Sequence, residues 1–218
     1  MKKKCSYAVF LLFFVLFSVG IIFINPLASQ IISDTNSFSI NNLMSLFKFN
    51  TKFFVQIASD LSRTEGIQFY KFIYDEALSV TSPTIIYIVI DSRKGTGAAI
   101  ANMKSAAYNW NKVDQGYLVN TYTLSKEQCE SLSNLISATD FFNINAHDSQ
   151  GHGILDGSTW TIEVVSKNQY HVVTRRSPDL MNGRIGCKEI YMIGMLMFEI
   201  VDYWTLLDNE LKSTFWIN

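Results

Sequence analysis

The sequence predicts an α+β fold: an antiparallel sheet packed by a capped helix and an apolar C-terminal helix, preceded by an N-terminal transmembrane helix. Three observations predict it. Runs of β-branched residues between turn residues indicate strands. A Ser-Lys-Glu-Gln capping box at residues 125–128 is typical of a helix start. Residues 5–24 form an uninterrupted run without charge, which indicates a membrane span.

The N-terminal segment has the properties of a membrane anchor. Lys2, Lys3 and Lys4 precede the uncharged run, and a helix of that length rises about 30 Å, which matches the hydrocarbon thickness of a bilayer. A signal peptide has a shorter apolar core and small residues before its cleavage site, where this chain has Pro26. We therefore expect an inner-membrane protein with a cytoplasmic N-terminus and a periplasmic C-terminal domain. Secretion after signal-peptide cleavage is the alternative.

Composition divides the chain into three parts. Residues 1–24 are the cytoplasmic tip and anchor, residues 25–82 a helical juxtamembrane neck, and residues 83–218 an extracytoplasmic α+β domain. In the neck, apolar residues at helical spacing predict two helices, at Asn41–Leu61 and at Gly66–Leu78.

The strands of the domain follow from alternation and β-branched runs. They are predicted at Thr84–Ile90, Tyr117–Leu124, Thr159–Ser166 and Tyr170–Arg176. The last two form a hairpin that turns at residues 167–169. The segment Ala98–Tyr108 suits either a short helix or a strand.

Two helices complete the predicted domain. The first begins at the Ser125 cap and runs to about Thr139. The second is the apolar stretch Cys187–Leu207, which resembles a second span in composition. Glu199 and Asp202 interrupt it, and charges at membrane depth cost a few kcal/mol each. We therefore expect a buried core helix there.

Charge excludes one class of function. The chain has 18 basic and 19 acidic residues. Without the three N-terminal lysines, residues 25–218 carry 18 − 3 = 15 basic against 19 acidic groups, a net charge of −4. Nucleic-acid binding depends on a basic surface, so we expect no nucleic-acid partner.

The cysteines support two interpretations. Cys129 and Cys187 are the only pair on the expected periplasmic side, where a disulfide could persist. Two separate buried thiols are the alternative, and the one that we favour. Cys5 lies before the apolar run and is not placed as a lipoprotein cysteine.

Histidines and carboxylates cluster between residues 147 and 171. His147, His152, Asp156 and His171 offer the ligand types of a zinc-dependent hydrolase. No His-Glu-x-x-His pattern fixes their geometry, and glycines flank the two loop histidines. We therefore expect solvated side chains and no metal.

The hairpin offers a second candidate site. His171 and Arg175 alternate onto one face of a strand, where they would line a groove for an anionic ligand or an acidic partner surface. A cross-strand ion pair between Glu163 and an arginine is the simpler interpretation. The candidate binding residues are thus Asp156, Trp160, Glu163, His171 and Arg175. We expect no catalytic residues and no cofactor.

The segment from about Leu124 to Leu207 resembles a family of uncharacterised bacterial proteins. The shared pattern is a capped helix, an Asp-Gly-x-x-Trp-x-x-Glu strand beginning at Asp156, a Tyr-His strand at Tyr170, and an Arg-x-Ser-Pro end at Arg175. Relatives often carry an aromatic residue where this chain has Arg176. The resemblance implies the order of the elements and no mechanism.

Together these patterns predict a single-pass membrane protein that displays a non-enzymatic binding domain in the periplasm. An immunity protein against a periplasmic toxin and a subunit of an envelope complex are two concrete forms of that function. The alternative is a metal-assisted hydrolase that uses His147, His152, Asp156 or His171.

Overall fold

The computed structural model describes residues 66–77, 79, 81, 83–104, 117–147, 157–179 and 183–215. Contacts divide the chain into two units, Met1–Lys48 and Phe49–Asn218, and every described residue belongs to the second. The anchor predicted at residues 5–24 and the helix predicted at Asn41–Leu61 lie outside the described residues.

Six strands form one antiparallel sheet, which confirms the α+β class. The strands are β1 (Ile67–Glu76), β2 (Thr84–Asp91), β3 (Thr96–Lys104), β4 (Tyr117–Leu124), β5 (Ser158–Ser166) and β6 (Gln169–Arg176). Their order across the sheet is β4-β3-β2-β1-β5-β6. In the ambiguous segment Ala98–Tyr108, the described residues Ala98–Lys104 belong to strand β3, and the four predicted strands are confirmed as β2, β4, β5 and β6.

The prediction of a second helix in the neck, at Gly66–Leu78, is wrong, because Ile67–Glu76 is strand β1. It pairs with β2 on one side and with β5 on the other. A strand buried on both faces has a nearly continuous apolar sequence, which periodicity alone does not separate from a buried helix. The sheet therefore extends to the N-terminal side of the domain boundary expected at residue 83.

Three helices and one 3₁₀ turn accompany the sheet in the described residues. They are α1 (Lys126–Ala138), the turn Phe141–Asn143, α2 (Cys187–Ile200) and α3 (Tyr203–Phe215). The capping box of α1 is confirmed: the Gln128 amide donates to Ser125 Oγ at 3.2 Å, and the Ser125 amide donates to Gln128 Oε1 at 2.9 Å.

The single C-terminal helix that we predicted is two helices. Asp202 has a left-handed backbone, with φ of 48°, and breaks the apolar stretch between α2 and α3. The side of α2 that carries Ile190, Ile193 and Met197 is buried, as expected of a core helix. Among the described helices none is long and apolar enough to cross a bilayer alone, although Cys187–Ile200 and Tyr203–Lys212, bent by 63°, together reach the required length and composition.

The helices pack on one face of the sheet, which we call the helix face. Its strands contribute Tyr70, Phe72, Ile86, Ile88, Ile162, Val164 and Val173 to the main core. The helices contribute Leu132, Ile136, Ile190, Ile193, Met197 and Phe198. On the opposite face, Phe69, Val89 and Val165 are also buried, so the middle of the sheet is covered on both sides.

Helix α2 approaches the sheet closely at Gly194. A β-carbon there would lie 2.5 Å from Trp160 Cζ3 and 3.0 Å from Phe72 Cζ. Real β-carbons do not come that close to side-chain atoms, so only glycine fits without movement of the rings. This contact fixes the distance between α2 and the centre of the sheet.

The β5–β6 hairpin turns through two residues, Lys167 and Asn168, which both have positive φ as in a type I′ turn. The register places His171 opposite Val164 and Val172 opposite Glu163. His171 therefore lies on the helix face and Glu163 on the opposite face, a question that sequence left open.

Candidate functional site

Glu163 forms a buried ion pair with Lys71. The β1–β5 register places the two residues opposite each other, and Lys71 Nζ lies 2.7 Å from Glu163 Oε1. Their side chains are 9% and 10% exposed. The partner of Glu163 is thus a lysine of β1 rather than an arginine of the hairpin. Sequence reasoning missed Lys71 because its segment was predicted to be helical.

Two tyrosines adjoin this ion pair. Tyr170 donates its hydroxyl to the second oxygen of Glu163, Oε2, at 3.2 Å. Burial, followed by the charge of Glu163 and this hydrogen bond, raises the pKa of Tyr170 to about 12. Tyr87 lies opposite Lys71 on β2, and burial and the Glu163 charge raise its pKa as well. We call Lys71, Glu163, Tyr87 and Tyr170 the ion-pair cluster.

Arg175 does not line a groove. The residue is 1% exposed, and its guanidinium donates to the carbonyls of Thr174 and Asn145 at 2.8 Å and of Ile185 at 3.2 Å. Its charge is therefore solvated by backbone dipoles inside the domain. The predicted anion-binding role of this side chain conflicts with its burial.

His171 lies on the same face as Arg175, as the alternation predicted, and is also engaged. Its Nε2 is 2.6 Å from the carbonyl oxygen of Ile144, so this nitrogen is the donor. The ring contacts Phe141 and Phe142, with centroids 5.5 and 6.4 Å away. His171 thus helps to hold the segment after the 3₁₀ turn against β6.

Trp160 is a core residue. Its indole Nε1 donates to Ser158 Oγ at 2.7 Å, and its ring contacts Phe72 and Phe198 at centroid distances of 5.2 and 5.7 Å. The residue therefore anchors the sheet to α2 and presents little surface to a ligand.

The residues of the alternative metal-dependent interpretation are only partly described. His147 is exposed and His171 is bonded to a carbonyl, while His152 and Asp156 lie outside the described residues. No group of three or more metal-ligating side chains occurs within the described ranges.

Cys129 and Cys187 are buried thiols that are not joined in a disulfide. Burial raises the pKa of the Cys129 thiol, which lowers its reactivity at neutral pH. The interpretation as two separate buried thiols agrees with this geometry.

Apolar side chains are exposed along α2, at the start of α3 and just before α2. The exposed fractions are 83% for Ile185, 36% for Tyr191, 42% for Met192 and 56% for Trp204. We call these four residues the outer patch. Tyr191 contacts Trp160, and Trp204 contacts Phe198, with ring centroids 5.6 and 5.7 Å apart. The patch is thus supported from beneath by the aromatic core.

Sequence reasoning did not single out the outer patch. The stretch that contains it is apolar on all sides, so composition does not reveal which residues face outward. The backbone break at Asp202 and the packing of Gly194 on the sheet decide that orientation.

The sequence was also compared with protein-family models and with curated proteins. Neither comparison gives a match.

Proposed function

We propose that this chain is a membrane-anchored extracytoplasmic binding domain whose partner is a protein. The observation that carries the proposal is the outer patch, in which Ile185, Tyr191, Met192 and Trp204 expose apolar surface on neighbouring elements. Exposed tyrosine, tryptophan and methionine are residue types that are enriched at protein interfaces.

The residue types of the outer patch favour a protein partner. Tyrosine, tryptophan and methionine are enriched at the centres of protein interfaces. Methionine adapts its shape to a partner, whereas the aromatic rings lose little conformational entropy on binding. Glu199 and Asp202 are exposed at the end of α2, and this acidic end disfavours an anionic lipid surface.

Three of the candidate polar side chains are engaged within the described part of the domain. Glu163 is paired with Lys71, Arg175 donates to three carbonyls, and His171 is bonded to Ile144. Each of these bonds would have to break before the group could act on a substrate. This arrangement supports binding over catalysis for the described part of the domain.

The membrane location rests on the sequence. The N-terminal lysines and the uncharged run Cys5–Ile24 favour an inner-membrane anchor with the domain in the periplasm. An immunity-type protein and an envelope-associated subunit both fit an anchored domain that presents an apolar contact surface.

Site-specific photocrosslinking in living cells tests the proposal. A benzophenone amino acid replaces Tyr191 or Trp204 in the full chain, and Tyr170, a comparably exposed tyrosine of the hairpin, is the matched control position. We expect a discrete adduct of one size from the two patch positions and none from position 170. The proposal would be refuted if neither position 191 nor position 204 gave an adduct. It would also be refuted if positions 170, 191 and 204 all gave the same adducts.

A further inference from the structure

Strand β4 forms one edge of the sheet in the described part of the chain, and its own sequence carries none of the residues that usually protect an edge strand. Its sequence from Tyr117 to Leu124 is Tyr-Leu-Val-Asn-Thr-Tyr-Thr-Leu, without a charge, a proline or a glycine. Among the described residues only β3 pairs with it. Edge strands of natural proteins are commonly shortened, charged, bulged or covered, because their unpaired N–H and C=O groups recruit further strands.

The opposite edge of the same sheet is protected. The segment Ile144–His147 runs along β6: the Thr174 amide donates to the Ala146 carbonyl at 2.9 Å, and His147 forms a parallel bridge with Thr174. His171 and Arg175 bond to carbonyls of the same segment. One edge is thus closed by backbone and side-chain bonds, while the other presents an uncharged strand.

The side chains of β4 are compatible with pairing to an identical strand. In an antiparallel pair, opposite residues point to the same face of the sheet. If a two-fold axis passes between the Thr121 residues of two copies, the residues from Leu118 to Leu124 all meet compatible partners. The resulting pairs are Leu118 with Leu124, Val119 with Thr123, Asn120 with Tyr122, and Thr121 with itself.

These pairs have favourable chemistry. Val119, Thr121 and Thr123 are exposed on one face, and pairs of β-branched residues stabilise neighbouring strands. Leu118 and Leu124 would extend the apolar layer of the helix face across the axis. No like charges meet, since β4 contains none.

We propose that β4 pairs with β4 of a second copy of this chain, in antiparallel orientation about a two-fold axis at Thr121, so that the two sheets become continuous. The interface is isologous and closed. It uses a different surface from the outer patch and does not rest on the proposed function.

Cysteine crosslinking of the full chain in the cells that express it tests the register. In a Cys5→Ser background, Thr121→Cys places two thiols across the axis within disulfide reach. Thr123→Cys is the matched control, because it changes the same residue type on the same face. Its two copies would be about 14 Å apart along the strands, beyond the roughly 7 Å that a disulfide spans between α-carbons.

We expect an oxidised dimer from Thr121→Cys that is at least ten times more abundant than the dimer from Thr123→Cys. Equal yields from both variants would indicate random collision. Absence of a dimer from Thr121→Cys would show that β4 does not pair with β4 of a second copy. Either result would overturn the proposal.

Blocking the edge provides an independent measurement. Thr121→Lys places two lysines opposite each other at the axis, whereas Thr121→Val keeps a β-branched side chain there. We expect the detergent-solubilised full chain to be a dimer when wild type or Thr121→Val and a monomer when Thr121→Lys, with similar thermal unfolding because position 121 is exposed. A wild-type chain that is monomeric would contradict the inference. So would a wild-type chain whose β4 pairs with an extended segment of another protein in place of a second copy.

Discussion

Lys71 and Glu163 show how a single residue pair specifies this sheet. Both are charged, both are almost fully buried, and they join β1 to β5 across a separation of 92 residues. A shift of β1 by one residue would move Lys71 to the helix face among apolar side chains. The pair therefore opposes incorrect registers of the central strand.

Removal of one partner of this pair is expected to be costly. Lys71→Met leaves the Glu163 carboxylate buried without its counter-charge and should lower the free energy of unfolding by about 3–5 kcal/mol. Replacing both, as Lys71→Met with Glu163→Leu, should restore much of that loss. Urea unfolding of the two variants and the wild type measures both effects. If the free energy of unfolding of Lys71→Met lies within about 1 kcal/mol of the wild-type value, Lys71 and Glu163 do not form a buried ion pair that stabilises the fold.

Raised pKa values of three tyrosines indicate that the stability of the fold decreases at alkaline pH. Burial is the main cause that raises the pKa of Tyr70 and Tyr74, and Tyr170 is raised to about 12. The unfolded chain ionises its tyrosines near pH 10, so it loses protons before the folded chain does. The contribution of these three tyrosines to the free energy of unfolding should therefore be constant below about pH 10 and fall above it.

The contribution of Tyr170 is measured with Tyr170→Phe. Urea unfolding across a pH series should show a shallower decline between about pH 10 and 12 than in the wild type, since one raised group is removed. Absorbance of the tyrosinate ion follows the same titration directly. Identical pH dependence in the variant and the wild type would show that the Glu163 environment does not act on Tyr170.

At the scale of elements, the position of α2 depends on a residue without a side chain. Gly194 allows the helix to rest directly on Trp160 and Phe72. The same helix carries Tyr191 and Met192 of the outer patch, and the Tyr191 ring contacts the same Trp160. A change at this contact would therefore displace the surface that we propose for binding.

Gly194→Ala tests that dependence. The added methyl group overlaps two rings, and overpacking of this kind costs about 1–3 kcal/mol despite the better helix propensity of alanine. Met192→Ala, on the exposed side of α2, is the control and should change stability by less than about 0.5 kcal/mol. Thermal unfolding compares them. Equal or greater stability of Gly194→Ala would show that the close approach is not required.

At the scale of the whole molecule, the expected anchor decides where the domain acts. Protease treatment of intact spheroplasts should digest the part after Ile24, because we expect the N-terminal lysines to keep the tip in the cytoplasm. Leu16→Arg is the control for insertion, since arginine at the centre of a span costs about 2.5–3.5 kcal/mol on the translocon scale. Protection of the C-terminal domain in the wild-type chain would contradict the periplasmic location.

The sequence by itself determined the elements whose signals are local. The capping box of α1 requires only residues 125–128, and alternation with a short turn identifies the β5–β6 hairpin. Interactions between sequence neighbours are sufficient for both, so they could be predicted without knowledge of the fold. The binding roles of the candidate residues on the hairpin stay predictions.

Only the tertiary structure decided the identity of β1, the partner of Glu163 and the exposed side of α2. A central strand and a buried helix have the same apolar composition, and β1 is distinguished only by the two strands that pair with it. Arg175 is buried and donates hydrogen bonds inside the domain, which alternation along the strand could not reveal. Trp204 is exposed just after the backbone break at Asp202. These properties depend on contacts between distant parts of the chain, which local patterns do not contain.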